Sequence, residues 1–156
     1  MPWLVRLPGQ TNQLNLANNV SQIDFLPTML DLLGKPAAEQ CAGRSLAALC
    51  KGETQAEQNI FMQWHPDRKG KALRRTRLAR RDTVARVTNE SSRAVVSPDG
   101  WKLCLRDQDK NELYNLKRDP GETRNHYTND SCKEIVSRLT GDIHRWQEKI
   151  GDGLKV

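Results

Sequence analysis

Apolar positions change their period twice along this chain, and each change predicts a different kind of element. The chain opens on Trp3-Leu4-Val5-Arg6-Leu7, stopped by the turn pair Pro8-Gly9. A nearly continuous apolar run of that length predicts a strand buried on both faces, as in a parallel sheet. Such a strand has no earlier element to pair with. Residues 10–20 are rich in Gln and Asn and read as a loop. Ser21 followed by Asp24 has the spacing of a capping box. Phe25, Leu26, Met29, Leu30 and Leu33 then recur at helical spacing up to Gly34, which predicts a helix over 25–33 with Pro27 in its first turn. A short apolar stretch, 46–49, ends at Lys51-Gly52, and Asn59 to His65 reads as a strand stopped by Pro66.

From Arg93 onward the period is two. Arg93 to Val96, the turn Ser97-Pro98-Asp99-Gly100, and Trp101 to Arg106 read as strand, turn, strand. Trp101, Leu103 and Leu105 alternate with Lys102, Cys104 and Arg106, the pattern of a half-buried antiparallel strand. Asp107 to Asn111 is a polar turn, Glu112 to Leu116 a further strand, and Asp119-Pro120-Gly121-Glu122 closes the meander. Ser131 and Glu134 cap a last helix, about 132–149, whose apolar face is Ile135, Leu139, Ile143, Trp146 and Ile150. The prediction is an α+β fold: a small antiparallel sheet of three to four strands packed by a C-terminal amphipathic helix.

Composition narrows the classes. With 156 residues the chain suits one ordinary domain, or a small domain with part of another. Apolar residues make 37% and charged residues 28%, and the mean hydropathy is −0.75, polar but too rich in Leu, Val and Trp for a wholly disordered chain. No window approaches eighteen apolar residues, so no transmembrane helix is expected and a membrane is not among the expected partners. Met1 to Arg6 lacks the pattern of a signal peptide. Cys41, Cys50, Cys104 and Cys132 form no C-x-x-C pair and are read as free or buried thiols rather than zinc ligands.

Charge is concentrated. Between Asp67 and Arg86 nine basic residues face two acids, a net +7, which leaves −1 for the rest of a chain whose total is +6. This is a near-neutral chain with one basic insert, read as a mobile loop over 66–92 because its apolar positions are too sparse for a packed helix. Three roles stay open for it: a solvated loop, a rim that attracts an anionic substrate such as a sulfated polysaccharide, or nucleic-acid binding. The last ranks lowest, because no aromatic residue interrupts the insert to stack on a base. The polyanion-attracting candidates are Arg74, Arg75, Arg80 and Arg81.

Several of these segments together resemble one family. Met1 to Gly9 is similar to its V-P-L-I-V-R-W-P-G strand, and Ser21 to Gly34 to its S-x-x-D-L-L-P-T-L-L-D-L-A-G helix. Gly43-Arg44-Ser45-Leu46 matches G-R-S-L, Asp99 to Leu103 matches D-x-W-K-L, and Glu112 to Asn125 matches E-L-Y-D-L-x-x-D-P-x-E-x-x-N. Their order resembles the C-terminal portion of a type I, formylglycine-dependent sulfatase of the alkaline-phosphatase-like superfamily. The resemblance implies that residues 1–52 hold a strand and helix left over from an α/β catalytic domain, and 53–156 the C-terminal subdomain with the insert. Members of that family are often periplasmic or secreted, which leaves the localisation of this chain open, and a missing N-terminal catalytic domain is implied as partner. Met1 is then either an internal residue of a longer protein or the start of a truncated reading frame. The unpaired N-terminal strand would disorder or pair between chains, giving a homo-oligomer.

In that family the nucleophile arises from C-x-P-S-R or S-x-P-x-R, calcium is held by Asp and Asn, and sulfate is met by Lys, Arg and His. The family places all of these upstream of the strand with which this chain opens. Cys41-Ala42-Gly43-Arg44-Ser45 has a Cys near an Arg but lacks the proline and the order, so Cys41 reads as a loop cysteine. Asp107, Asp109 and Asn111 begin like a calcium loop, but the following glycine and distal glutamate are wrong, so they read as a hairpin turn. The chain is therefore expected to have no catalytic residue or metal ligand of its own, with calcium implied only for the full-length enzyme. It would act as a structural, substrate-cleft-walling part that is inactive alone. His65 and Arg68 are the candidate substrate contacts. The alternative is a stand-alone module that binds polyanions through the insert. Trp3, Trp64, Trp101 and Trp146 are read as core residues and His144 as partly packed.

Overall fold

Four strands, β1 (Ile60–Trp64), β2 (Ser92–Val96), β3 (Trp101–Arg106) and β4 (Glu112–Asn115), pair in sequence order, each antiparallel to the next. The computed structural model describes residues 3–66, 80–154 and 156. These fall into two units, Met1–Gln58 and Asn59–Val156, and the sheet lies wholly in the second. Its helices are α3 (Arg81–Asn89) and α4 (Lys133–Ile150); the first unit has α1 (Phe25–Leu32) and the short α2 (Ala47–Cys50).

In the second unit the register aligns one apolar row across the sheet. Phe61 faces Val95, Val95 faces Leu103, and Leu103 faces Leu113. Val95, Leu103 and Leu113 are fully buried together with Leu139 and Ile143 from α4. Burying side chains of this size stabilises by about 1.5–3 kcal/mol each. Phe61 stacks on Trp146 of α4, rings nearly parallel with centroids 5.1 Å apart. The sheet turns between β2 and β3 as the Pro-Asp-Gly sequence predicts: the Gly100 N–H donates to the Ser97 carbonyl at 2.9 Å, and Gly100 takes φ +89°, a conformation that favours glycine. The fold class is thus α+β, with one helix covering one face of a four-stranded antiparallel sheet.

In the first unit, Ser21 precedes a 3-10 turn (Gln22–Asp24) that runs into α1, and its N–H donates to Asp24 Oδ2 at 3.0 Å. Pro27 sits in the first turn of α1, where its missing N–H costs nothing. The helix ends at Leu32, and the Lys35 N–H returns to the Leu30 carbonyl at 2.8 Å beyond Gly34.

Four expectations are corrected. Residues 3–7 form no strand; Leu4 is 97% exposed, and among the described residues no strand pairs with this segment, whose Leu7 backbone closes a local turn on Gln10 instead. Within the expected basic loop, residues 81–89 form α3. Sparse apolar positions do not prevent this, because polar contacts hold the helix: Arg86 donates to the Gln108 carbonyl at 3.0 Å and pairs with Asp109 at 2.9 Å, and Gln108 Nε2 donates to the Asn89 carbonyl at 3.3 Å. Trp64 is 64% exposed rather than in the core, because it points to the face opposite the core-packed Phe61 along an edge strand. His144 is likewise exposed, on the outer side of α4.

Candidate functional site

His65 follows β1 directly, next to the start of β2. Its Nδ1 lies 3.1 Å from the Oγ of Ser91, a fully buried residue whose N–H donates to Asp107 Oδ1 at 2.8 Å. One hydrogen-bonded chain therefore links the ends of β1 and β3 through the start of β2. Because Nδ1 is occupied, Nε2 is the ring nitrogen left to serve a ligand. His65 shares a groove with Gln63, Arg93 and the C-terminal residues Ile150, Asp152, Gly153 and Leu154.

The wall of that groove is built by a buried ion pair. Arg93 is 4% exposed, and its Nε and Nη2 donate to the two oxygens of Asp152 at 2.6 and 3.1 Å. Its Nη1 donates to the carbonyls of Trp64 and Ser92 at 3.1 and 2.8 Å. Gln147 Nε2 donates to Asp152 Oδ2 at 3.0 Å and to the Leu154 carbonyl at 2.7 Å. The Arg93 guanidinium, opposed by a burial penalty and reinforced by Gln147 and the Leu154 N–H, holds the Asp152 carboxyl far below the usual carboxylate range. Arg93 stands two residues before the core residue Val95, on the same face of β2, so the strand itself turns this charge inward.

The remaining candidates separate. Arg80 and Arg81 are exposed at the start of α3, and no hydrogen bond or ion pair among the described residues joins them to His65. Arg68, Arg74 and Arg75 lie outside the described residues. The polar groups of the β3–β4 turn are taken up by the protein. Asp107 accepts from Ser91, Asn111 Oδ1 accepts from the Arg106 N–H at 2.9 Å, and the Lys110 N–H and Arg86 hold the Asp109 carboxyl below its usual range. Among the described residues no three His, Cys, Asp or Glu side chains gather as a metal site, and no helix is long and apolar enough to cross a membrane. All four cysteines are free; burial pushes the Cys50 and Cys104 thiols up, away from the reactive thiolate.

The sequence motifs acquire architectural meaning. Asp24, Thr28 and Asp31 stand at helical spacing and together grip the G-R-S-L segment. Asp24 Oδ1 accepts the Arg44 N–H at 3.0 Å, Thr28 Oγ1 accepts the Leu46 N–H at 2.9 Å, and the Ser45 hydroxyl donates to Asp31. Further on, the Arg124 N–H and both the N–H and hydroxyl of Thr123 bind the Asp119 carboxylate. Asn125 extends the edge of β4 by accepting the Leu113 N–H at 3.0 Å and donating to the Asn111 carbonyl at 3.0 Å. These motif residues hold the backbone rather than present chemistry.

With this geometry in place, comparison identifies the class. Residues 1–149 match the family described as N-sulphoglucosamine sulphohydrolase, C-terminal, and the chain belongs to that family of sulfatase C-terminal domains. It is 25% identical over 130 residues to a delta 4,5-hexuronate-2-O-sulfatase of Bacteroides thetaiotaomicron, covering 80% of this chain and 24% of that protein. It superposes on the structure of a 2-O GAG sulfatase with a TM-score of 0.66 and 24% identity, over 85% of this chain and 26% of that one. It also superposes on a phosphonate monoester hydrolase from Silicibacter pomeroyi, with a TM-score of 0.58 and 18% identity, over 81% of this chain and 24% of that one. The fold alone therefore does not choose between sulfate and phosphonate. The chain spans about a quarter of the length of these relatives.

Proposed function

We propose that this chain works as the C-terminal part of a sulfuric ester hydrolase: it completes the core of a catalytic domain through residues 1–52, borders the substrate cleft with 53–156, and hydrolyses no sulfate ester alone. The observation that carries this reading is the inverted burial of helix α1 in the first unit, whose own apolar core is no more than the short segment of Leu46, Ala47 and Leu49. Its helix α1 buries Asp24 at its entry and Thr28 within it, while Phe25 and Leu33 stand 56% and 70% exposed, with Leu4, Val5 and Leu26 exposed as well. A small domain that folds for itself does the reverse, and a contiguous exposed apolar surface marks a docking site. A catalytic α/β domain is the partner this reading supplies, and the formylglycine nucleophile and calcium belong there. The turn residues Asp107, Asp109 and Asn111 do not fit a calcium ion, because protein donors already occupy them.

Within this reading His65 meets the substrate through Nε2, with Ser91 fixing the ring, and Arg68 stands beside it in sequence. The deciding experiment is to sequence the reading frame upstream of the Met1 codon and assay the joined product. The reading expects C-x-P-S-R or S-x-P-x-R in frame, aryl-sulfate turnover by the joined protein, and none by the chain alone. His65→Ala in the joined protein should raise KM about tenfold, the loss of one charge-assisted contact. Turnover by the 156-residue chain alone, or an upstream frame without either motif, overturns it. A second reading, polyanion binding by the chain itself, is favoured by Arg80 and Arg81, exposed and without a carboxylate partner among the described residues. Salt-sensitive heparin binding lost in Arg80→Gln/Arg81→Gln would select it, and absence of such binding would remove it.

A further inference from the structure

At the opposite end of the sheet from His65, a second groove opens where β3 begins. Its floor is Trp101, half-buried, whose ring meets that of His126 edge to face with centroids 6.1 Å apart. Arg118 and Arg124 line it together with Asn115 and Asn129. Elsewhere in this unit Arg86, Arg93, Arg106, Arg138 and Arg145 are each paired with a carboxylate. Arg118 and Arg124 are exposed and have no carboxylate partner among the described residues. The acid that shares the groove, Asp119, stays a carboxylate but turns its oxygens onto its own loop: the Arg124 N–H, opposed by a burial penalty and joined by the Thr123 hydroxyl and N–H, holds its carboxyl below the usual range and leaves both guanidinium groups free. Two uncommitted guanidinium groups, an indole surface and side-chain amides form the donor set that a charged sugar requires. The guanidinium forks take an oxyanion bidentately, the indole packs on the ring's C–H face, and the amides meet hydroxyls.

We propose that this groove binds a sulfated sugar residue of a polysaccharide, as a site separate from the His65 end. The choice of sulfate as the anion rests on the function proposed above, whereas the anionic saccharide class rests on the groove. The two ends are separated by the length of β3, roughly 17 Å. A polymer held here keeps its other residues at high local concentration near the cleft, the ordinary benefit of a second contact.

The test follows the four indole N–H resonances of the whole chain by NMR during titration with a heparin-derived tetrasaccharide, the Trp101 signal being assigned with Trp101→Phe. The expected result is a saturating shift of Trp101, weakened at least tenfold in Arg118→Gln/Arg124→Gln, which loses two charge-assisted contacts on exposed side chains and should keep the wild-type spectrum. Arg80→Gln/Arg81→Gln should leave that shift in place. The proposal is overturned if Trp101 does not move at millimolar tetrasaccharide, if the Arg118/Arg124 variant binds unchanged, if desulfated tetrasaccharide binds as well, or if the Arg80/Arg81 variant abolishes the shift. Because binding is read on the chain alone, a failure here is distinct from a failure of the catalytic assay.

Discussion

Arg93→Ala is expected to cost the second unit about 3–5 kcal/mol, the usual penalty for removing one partner of a buried ion pair. The guanidinium meets both oxygens of Asp152 and two strand carbonyls, so its loss takes that donor from the Trp64 and Ser92 carbonyls and leaves the carboxylate without a counter-charge, held only by Gln147 and the Leu154 N–H. Residues 151–154 should come loose, because Asp152 also receives the Leu154 N–H at 3.2 Å. Arg93→Met, which fills the space without charge, should lose less only if Asp152 is neutralised with it. Asp152→Asn on the Met background should then recover part of the loss. Acid gives an independent reading. The folded Asp152 carboxyl titrates below its unfolded value of about 3.9, so its stabilisation is complete above that pH and is lost as pH falls through the folded value. Denaturation at pH 7 and again near pH 3 should therefore show wild type losing more stability on acidification than Arg93→Ala. Equal acid sensitivity in both, or a cost below about 1 kcal/mol at pH 7, would mean that the pair does not hold the tail.

The period-two alternation around Trp101 to Arg106 was enough to read the sheet, because side chains that alternate across a pleat leave that mark in any sequence. The last helix was equally legible from Leu139 and Ile143, both fully buried where the stripe places them. The opening strand was not: Trp3 to Leu7 has the composition of a buried strand, but a strand exists only where another pairs with it, and composition cannot supply the partner. Helix α3 was missed because its anchor, Arg86 on the Asp109 turn, links residues 23 apart and leaves no periodic trace. The clamp at the His65 groove was missed for the same reason, since nothing near Gly151-Asp152-Gly153 points to a strand residue 59 positions earlier. One signal was present: Arg93 occupies the inward phase of a strand whose next inward residue is Val95, and a charge in that phase needs a buried counter-charge. Of the candidate contacts, His65 was singled out by its position at a strand end, while the buried Ser91 hydrogen-bonded to it carries no motif.

The family motifs show the reverse case, a sequence pattern whose cause is visible only in three dimensions, and Gly43 gives it a sharp test. A Cβ at this position would lie 2.2 Å from the Ile23 carbonyl oxygen and 2.7 Å from the Asp24 nitrogen, both backbone atoms that cannot swing away. Gly43→Ala should therefore push the G-R-S-L segment off α1. It would take the Arg44 and Leu46 N–H donors away from Asp24 Oδ1 and Thr28 Oγ1, acceptors on residues that are 1% exposed. Leaving buried polar groups unsatisfied costs roughly 1–3 kcal/mol each, so a loss of about 3 kcal/mol or more in the first unit is expected. Gly34→Ala is the matched control. Gly34 has φ +66° with nothing within 4 Å of its absent Cβ, so that variant meets only the conformational cost of about 1–2 kcal/mol. Hydrogen exchange separates the two. The Arg44 and Leu46 amides should lose protection in Gly43→Ala and keep it in Gly34→Ala. Retained protection in Gly43→Ala would mean that the close approach can relax without opening the clasp, and the glycine of G-R-S-L would then need another explanation.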